Sequence, residues 1–437
     1  MNIGIIGAGF VGLTFAAVLG SKKFNTILVD SDLKKIKQIE RGIIPFYEPK
    51  LGMLLQKSLK KSLKISTDVD YLVNQCEIIF VTVGTPTRSD GKINLENIKL
   101  VIKEIALSLS KSKNIPIIVI KSTVIPKTSE LIKKILEKNS KKKEGEGFGL
   151  VINPEFLSEG KAVNDTLNPH IIVIGSNEKK SINKMKKFYN KLYKNKIPYF
   201  ITNSQTAEMI KYANNSFLAA KISFINQLAN ICQTIPGTNV DDIAKAIGID
   251  PRIGNQFLKA GPGYGGSCLP KDLKALILFS KSIGQNPILL EAIQKTNSEQ
   301  IKKLILLMKK ILISLEGKKI SILGLSFKEN SDDIRESVSI NLIKQLLKYK
   351  PKIIAHDPMA IENTMKVIGN KISYTKSIPD ALRDSECVII MTPWEQYTRL
   401  SNKEFELMKN KIIIDTRRLL TKKKLNVKYY ATGLGFK

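Results

Sequence analysis

The chain has 437 residues, 43% hydrophobic and 25% charged, with mean hydropathy −0.06. That is an ordinary globular composition, long enough for two or three domains with their own cores, and it excludes a disordered chain. Four dispersed cysteines (Cys76, Cys232, Cys268, Cys387) without a CxxC pair, and two isolated histidines (His170, His356), argue against a disulfide framework and a zinc site, so no metal is expected.

The net charge is +31, yet only eight of the 70 basic residues are Arg. The lysines scatter over predicted solvent faces, and Arg is the residue suited to bidentate phosphate and base recognition. No nucleic-acid partner is therefore expected; a positive surface would still attract anionic substrates. No apolar run approaches the length of a membrane span, so no membrane contact is expected. A strand beginning in MNIGIIGAGF leaves no room for a signal peptide, and the expected compartment is the cytoplasm.

Taken in order, Asn2–Ile6 is an apolar strand followed by Gly7-Ala8-Gly9-Phe10-Val11-Gly12 and a helix to about Leu19. A second strand, Thr26–Val29, ends at Asp30. Glycines between a strand and a helix, with an acid about twenty residues further on, make a dinucleotide-binding turn. The glycines allow a tight turn and close approach of a pyrophosphate to a helix N-terminus. The Asp30 carboxylate accepts ribose hydroxyls and repels a 2′-phosphate, which selects NAD over NADP. Strand Glu77–Val83 leads into Gly84-Thr85-Pro86, strand Ile115–Ile120 into Lys121-Ser122-Thr123, and Gly149–Ile152 into Asn153-Pro154-Glu155-Phe156-Leu157-Ser158-Glu159-Gly160. Ligands of doubly wound sheets sit at such carboxyl ends. Glu155 and Glu159 read equally as solvated turn residues.

From about Ser204 the pattern turns to long helices without strands. Thr206–Ile235 carries Lys211 and Asn215 at i and i+4, on one helix face. Phe257–Asp272, FLKAGPGYGGSCLPKD, then places Cys268 in a glycine-rich loop close to Lys271 and Asp272. Glycines there permit close backbone approach with N–H groups facing an oxyanion, and a cationic neighbour favours the thiolate, the nucleophilic form of cysteine. An incidental cysteine in a surface loop is the alternative. A helix over about Pro287–Leu315 leads to the last third, where βα alternation returns: strands Lys319–Leu323, Lys352–Ala355, Cys387–Met391 and Lys411–Ile414, with a helix from about Ser337. No full GxGxxG occurs here. Lys328, Arg335, Arg417 and Arg418 fall near strand ends, suited to holding phosphates, and His356 reads as a turn residue.

GIIGAGFVG at Gly4–Gly12, KSTV at Lys121–Val124, NPEFLSEG at Asn153–Gly160, KYANNSFLAAKISFIN at Lys211–Asn226, GPGYGGSCLPKD at Gly261–Asp272 and GLSFKENSDDIRES at Gly324–Ser337 follow one another over almost the whole chain. In this order they resemble the UDP-glucose/GDP-mannose dehydrogenase family. The resemblance implies an α/β fold of two Rossmann-like doubly wound parallel-sheet domains joined by a central all-helical dimerisation region. The expected boundaries are an NAD-binding domain at 1–202, a helical domain with the cysteine loop at 203–300 and a nucleotide-sugar (UDP) domain at 301–437.

The implied activity is a four-electron oxidation of a nucleotide sugar at C6 with two NAD, UDP-glucose to UDP-glucuronate being the expected case, through a thiohemiacetal and a thioester on Cys268. Lys211 and Asn215 would stabilise the oxyanion, Asp272 would activate water, and Glu155 and Thr123 would share the proton chemistry. NAD would be held by Gly7, Gly9, Val11, Gly12, Asp30, Lys35, Thr85, Thr123, Glu159, Lys271 and Arg335. The sugar nucleotide would meet Glu155, Phe156, Leu157, Lys211, Asn215, Phe257, Leu258, Lys259, Gly261, Tyr264, Gly265, Lys328 and Arg417. Arg252 matches an arginine that reaches the neighbouring subunit's site, implying at least a homodimer. Leu269, Ser326-Phe327 and Arg335-Glu336-Ser337 lean toward GDP-mannose relatives; PEFLSEG and GPGYGGSC lean toward the UDP-glucose branch. GDP-mannose and N-acetylated UDP-sugars thus stay open as substrates. A 6-phosphogluconate-type hydroxyacid dehydrogenase shares the first two domains but needs neither Cys268 nor the last third.

Overall fold

Apolar runs such as IIFV, IIVI and GLVI have no polar alternation, as strands covered on both faces require, and each is buried throughout. The computed structural model describes residues 1–421 and 423–435. Within these the chain forms two units, Met1–Ala213 and Asn214–Lys437.

The first unit carries β1 (Asn2–Ile6), β2 (Asn25–Val29), β3 (Leu63–Ser66), β4 (Ile78–Val81), β5 (Ile117–Ile120), β6 (Gly149–Ile152), β7 (Ile172–Gly175) and β8 (Tyr199–Thr202). They form one sheet in the order β3-β2-β1-β4-β5-β6-β7-β8. Six strands run parallel; β7 joins β6 antiparallel through Ile152 and Gly175, and β8 runs parallel to β7. One face is packed around Phe15, Phe80 and Phe188, with ring centroids 4.9 Å apart for the first two and 5.6 Å for the last two. The order reverses between β1 and β4, so the crevice for a ligand opens at their carboxyl ends.

The second unit carries β9 (Lys319–Leu323), β10 (Lys352–His356), β11 (Ser373–Thr375), β12 (Cys387–Ile390), β13 (Ile412–Asp415) and β14 (Lys428–Ala431) in a parallel sheet ordered β11-β10-β9-β12-β13-β14. That is the order of the first six strands of the other sheet. The likeness extends to atoms. The turns after β1 and β9 bend at Gly7 (φ +105°) and Gly324 (φ +101°). Asp30 accepts from the N–H of Ala8 at 2.7 Å, and Asp357 from the N–H of Leu325 at 2.7 Å.

Between the sheets the chain is helical: Ser204–Cys232, Val240–Ile249, Leu269–Ser282 and Ile288–Leu312. The fold is mixed α/β with two parallel sheets and a helical central region, as expected. The sequence reading leaves β3, β7, β8, β11 and β14 unassigned; β3, β8 and β11 are half-exposed and β14 lies at a sheet edge, so a buried apolar run does not mark those four, whereas β7, IVIG, is buried throughout and is simply missed. His356 is not a turn residue: it ends β10, buried, with its Nδ1 2.8 Å from the Tyr397 hydroxyl.

Candidate active site

The turn after β1 separates the jobs of its glycines. Gly7 holds φ +105°, and a Cβ there would lie 2.9 Å from the Val83 nitrogen. At Gly12 a Cβ would lie 1.9 Å from the Gly7 carbonyl oxygen, so this glycine lets the helix Phe10–Ser21 sit on the turn. Gly9, the N-cap, is exposed and a Cβ on it would meet nothing within 4 Å. Packing does not require a glycine there; close approach by a ligand does. Val11, in the helix's first turn, is half-buried. The Asp30 carboxylate is oriented by the N–H groups of Ala8 (2.7 Å) and Asp32 (2.9 Å) and by Lys35 Nζ (3.0 Å). Burial opposes its ionisation, but these donors outweigh it and hold the carboxyl below its ordinary range. The cradle therefore fits NAD, with an acid at the ribose position and Lys35 orienting that acid. Thr85, in the loop that follows β4, donates to the Thr123 carbonyl at 3.0 Å, tying that loop to the one after β5.

A charged cluster is buried in the same unit. Lys211 Nζ lies 3.0 Å from Glu155 Oε1, donates to the Glu155 carbonyl at 2.6 Å and sits 5.4 Å from the centroid of the Phe156 ring. Both side chains are less than 10% exposed. Burial would raise the Glu155 carboxyl, but Lys211, the Leu157 N–H at 2.5 Å and Lys121 hold it below its ordinary value. Glu155 is thus no solvated turn residue. Phe156, Leu157 and Glu159 are half-buried. The segment is anchored by Glu48, which is 2% exposed and accepts from the Gly160 N–H at 2.8 Å.

The second cluster belongs to the other unit. Cys268 is half-buried and caps the N-terminus of the helix Leu269–Ser282, where the helix dipole favours a thiolate. The Ser267 hydroxyl lies 3.5 Å from its sulfur. One turn on, Asp272 is 1% exposed, with Lys271 Nζ at 2.6 Å on one oxygen and Asn215 Nδ2 at 2.6 Å on the other.

The glycine loop before Cys268 differs from the sequence reading. Its amides do not all face outward: the Gly261 N–H donates to Asn226 Oδ1 (2.8 Å), that of Tyr264 to Asn297 Oδ1 (2.8 Å) and that of Gly266 to the Arg335 carbonyl (3.0 Å). A Cβ at Gly265 would lie 2.1 Å from the Glu336 carbonyl oxygen, so this glycine serves packing inside the unit. Phe257 adopts φ +63°, a left-handed conformation costly for a bulky residue. Leu258 and Tyr264 are buried and Lys259 is exposed. Arg417 Nε donates to the Met391 carbonyl at 2.6 Å; burial pulls its guanidinium down to about 10. Lys328 is half-buried. Arg335 pairs with Asp333 at 2.5 Å, and Arg252, largely exposed, with Asp250 at 2.6 Å. Sequence reading gave no role to Asn226, Asn297, Glu48 or Lys121. Single polar side chains carry no periodic signal; Asn226 and Lys121 lie within the motifs above, whereas Glu48 and Asn297 lie outside them.

A cradle with an acid at its ribose position marks a nicotinamide-dependent dehydrogenase, and the comparisons agree. Models of the UDP-glucose/GDP-mannose dehydrogenase family match along the chain: its NAD-binding domain at 1–193, its central domain at 205–299 and its UDP-binding domain at 321–422. The UDP-glucose 6-dehydrogenase of Rickettsia bellii is 38% identical over 440 residues, covering 99% of each chain. UDP-glucose 6-dehydrogenase AglM of Haloferax volcanii is 36% identical over 426 residues, 97% of this chain and 98% of its own. Among solved structures, a UDP-glucose dehydrogenase from Pyrobaculum islandicum superposes with a TM-score of 0.91 at 30% identity, covering 99% of this chain and 98% of its own. The chain belongs to the UDP-glucose/GDP-mannose dehydrogenase family, and NAD is its cofactor. Among the described residues no helix is long and apolar enough to cross a membrane.

Proposed function

We propose that the protein oxidises UDP-glucose to UDP-glucuronate through a covalent intermediate on Cys268. The observation that carries this reading is a cysteine at a helix N-terminus with a buried carboxylate one turn on, Asp272, held by Asn215 and Lys271. A simple alcohol dehydrogenase has no use for that arrangement.

Gly7–Gly12 and Asp30 would hold NAD, which would supply the oxidising power by taking up one hydride in each of two oxidations. In the first, the C6 alcohol loses a proton and a hydride to become an aldehyde. The Cys268 thiolate then adds to the aldehyde carbon, forming a C–S bond and an oxyanion that takes up a proton as a thiohemiacetal. Loss of that proton and a second hydride from C6 gives a thioester. Water adds to the thioester carbon, the C–S bond breaks, and the thiolate and a carboxylate are released. Lys211 stabilises the oxyanions, with the Asn215 amide one helical turn away. Asp272 is the base that activates water, and Glu155 with Thr123 carries protons beside Lys211.

The proposed NAD contacts beyond the turn are Lys35, Thr85, Thr123, Glu159, Lys271 and Arg335. The Phe156–Leu157 and Phe257–Gly265 segments, Lys328 and Arg417 are proposed to hold the sugar nucleotide, the strained Phe257 supporting that role. We assign an NAD-binding domain at 1–202, a helical domain at 203–300 and a UDP-binding domain at 301–437. A homodimer is supported by Phe217, Phe224 and Ile231, spaced by sevens along one face of the helix Ser204–Cys232 and 67%, 55% and 47% exposed. In such a dimer Arg252 would serve the neighbouring site. A reducing cytoplasm suits a mechanism that needs a thiolate.

The test is the NADH formed per sugar consumed with UDP-glucose, GDP-mannose and N-acetylated UDP-sugars. Two NADH per UDP-glucose, with that sugar far ahead, is the expected result. A different preferred sugar reassigns the substrate, and one NADH per sugar removes the covalent route.

A further inference from the structure

The mechanism above leaves Lys121 without work, yet its position is unusual. It follows β5 directly, it is 9% exposed, and its ammonium donates to Asn153 Oδ1 at 3.1 Å. The same Asn153 oxygen accepts from the Tyr189 hydroxyl, while Asn153 Nδ2 donates to the Val173 carbonyl at 2.7 Å and its N–H to the Ile120 carbonyl at 2.9 Å. Asn153 is thereby fixed from β5, from β7 and from the helix Lys179–Tyr193. Two residues further on stands Glu155.

The ammonium groups of Lys121 and Lys211 both act on the Glu155 carboxylate. Burial pulls the Lys121 ammonium down to about 8, with the Glu155 charge opposing that shift and the Lys211 charge adding to it. Other titratable groups around the segment include Glu48, which accepts from the Gly160 N–H, Tyr189, whose phenol burial keeps neutral, and His170, whose ring lies 5.4 Å from that of Phe156. The Asp165 carboxylate points elsewhere, onto the Ser158 N–H. A methionine would fill the space beside the Phe15 ring without the cost of a buried charge, so packing alone does not explain a lysine.

We infer that Lys121 is a positioning residue for the Lys211–Glu155 pair: it fixes Asn153, and with it the backbone that carries Glu155, and it adds a second cation to that of Lys211. The kinetic part of this inference rests on the proposed reaction; the electrostatic part does not.

Lys121→Met, Lys121→Arg and Tyr189→Phe separate the two. Their kcat–pH profiles are measured with UDP-glucose, and their melting temperatures are followed across acid pH without substrate. Lys121→Met is expected to lower kcat about tenfold and to move the acid limb of both curves upward, because Glu155 loses one of the cations that hold its carboxyl low. Lys121→Arg keeps the charge and should restore the position of both limbs. Tyr189→Phe should lower kcat without moving either limb. Should Lys121→Met fail to fold, Lys121→Gln, equally uncharged, carries the same expectation. Acid limbs that stay in place in the uncharged variant overturn the inference, whatever happens to kcat. A wild-type enzyme that fails to give two NADH per UDP-glucose while the melting limb still moves overturns the proposed reaction and leaves the role of Lys121 standing.

Discussion

Asn215 Nδ2 donates to Asp272 Oδ2 at 2.6 Å across 57 residues of sequence, and Lys271 closes the other carboxylate oxygen at 2.6 Å. Asp272 is almost wholly buried, and these two partners satisfy both of its side-chain oxygens one turn after Cys268. Asp272→Asn keeps the shape, removes the charge and leaves the Lys271 ammonium without its counter-ion. With a base lost, kcat should fall about 10²–10³-fold. The KM for NAD should change as well, since Lys271, a proposed NAD contact, loses its charged partner. Steady-state kinetics of the variant checks both.

The glycines of the first turn should respond oppositely to one added methyl group. Gly12→Ala forces a Cβ to 1.9 Å from the Gly7 carbonyl oxygen, so the melting temperature should fall by several degrees. Gly9→Ala meets nothing and should melt as the wild type does, while the KM for NAD rises about tenfold or more because the pyrophosphate has lost its approach. Thermal melts and NAD titrations of the two variants decide it.

Glu208 gives a pH signature. It is 2% exposed and accepts the N–H groups of Lys127 (2.8 Å) and Ser129 (2.6 Å) at the start of the helix Thr128–Ser140, where Lys127 adopts φ +75°. Burial raises its carboxyl from an ordinary 4.5 to about 7, against the pull of those N–H groups. A carboxyl raised in the folded state contributes most stability below its unfolded value and loses it as pH rises. The loss runs from about 4.5 to about 7 and amounts to about 3 kcal/mol. Glu208→Gln lacks that slope. The melting temperature of wild type relative to this variant should therefore be highest below about pH 4.5 and fall as the pH rises to about 7.

The proposed dimer makes its own demand on the long helix. Phe224→Asp places a charge in the middle of the exposed Phe217–Ile231 stripe. Sedimentation should show a dimer for the wild type and a monomer for the variant. Activity should fall with it, as Arg252 is withdrawn from the neighbouring site.

Much of this was legible before any coordinates. β1, β6 and β9 were read residue for residue, because a buried parallel strand is a run of apolar residues closed by a turn. Half-exposed strands such as LKIS and YFIT carry too little apolar signal to stand out. At the site, Gly7–Gly12 with Asp30, and Cys268 with Asp272, were visible because their spacing is local. Glu155 was marked only by the family resemblance: its burial depends on Lys211, 56 residues away, and a carboxylate in a loop reads as solvated until its partner is placed. The glycine loop misled for a related reason. Its amide partners, Asn226 and Asn297, lie more than 30 residues off on helices. A local pattern suggests amides open to a ligand, and only the tertiary fold reveals them bonded within the protein.

The most direct test of the account is the fate of UDP-glucose on the Cys268→Ala variant with excess NAD. The cradle at Gly7–Gly12 is unaltered, so NAD should bind with wild-type affinity, and UDP-glucuronate should not form. Uronate accumulating at the wild-type rate would contradict the thioester on Cys268, and with it the reading of the loop that carries it.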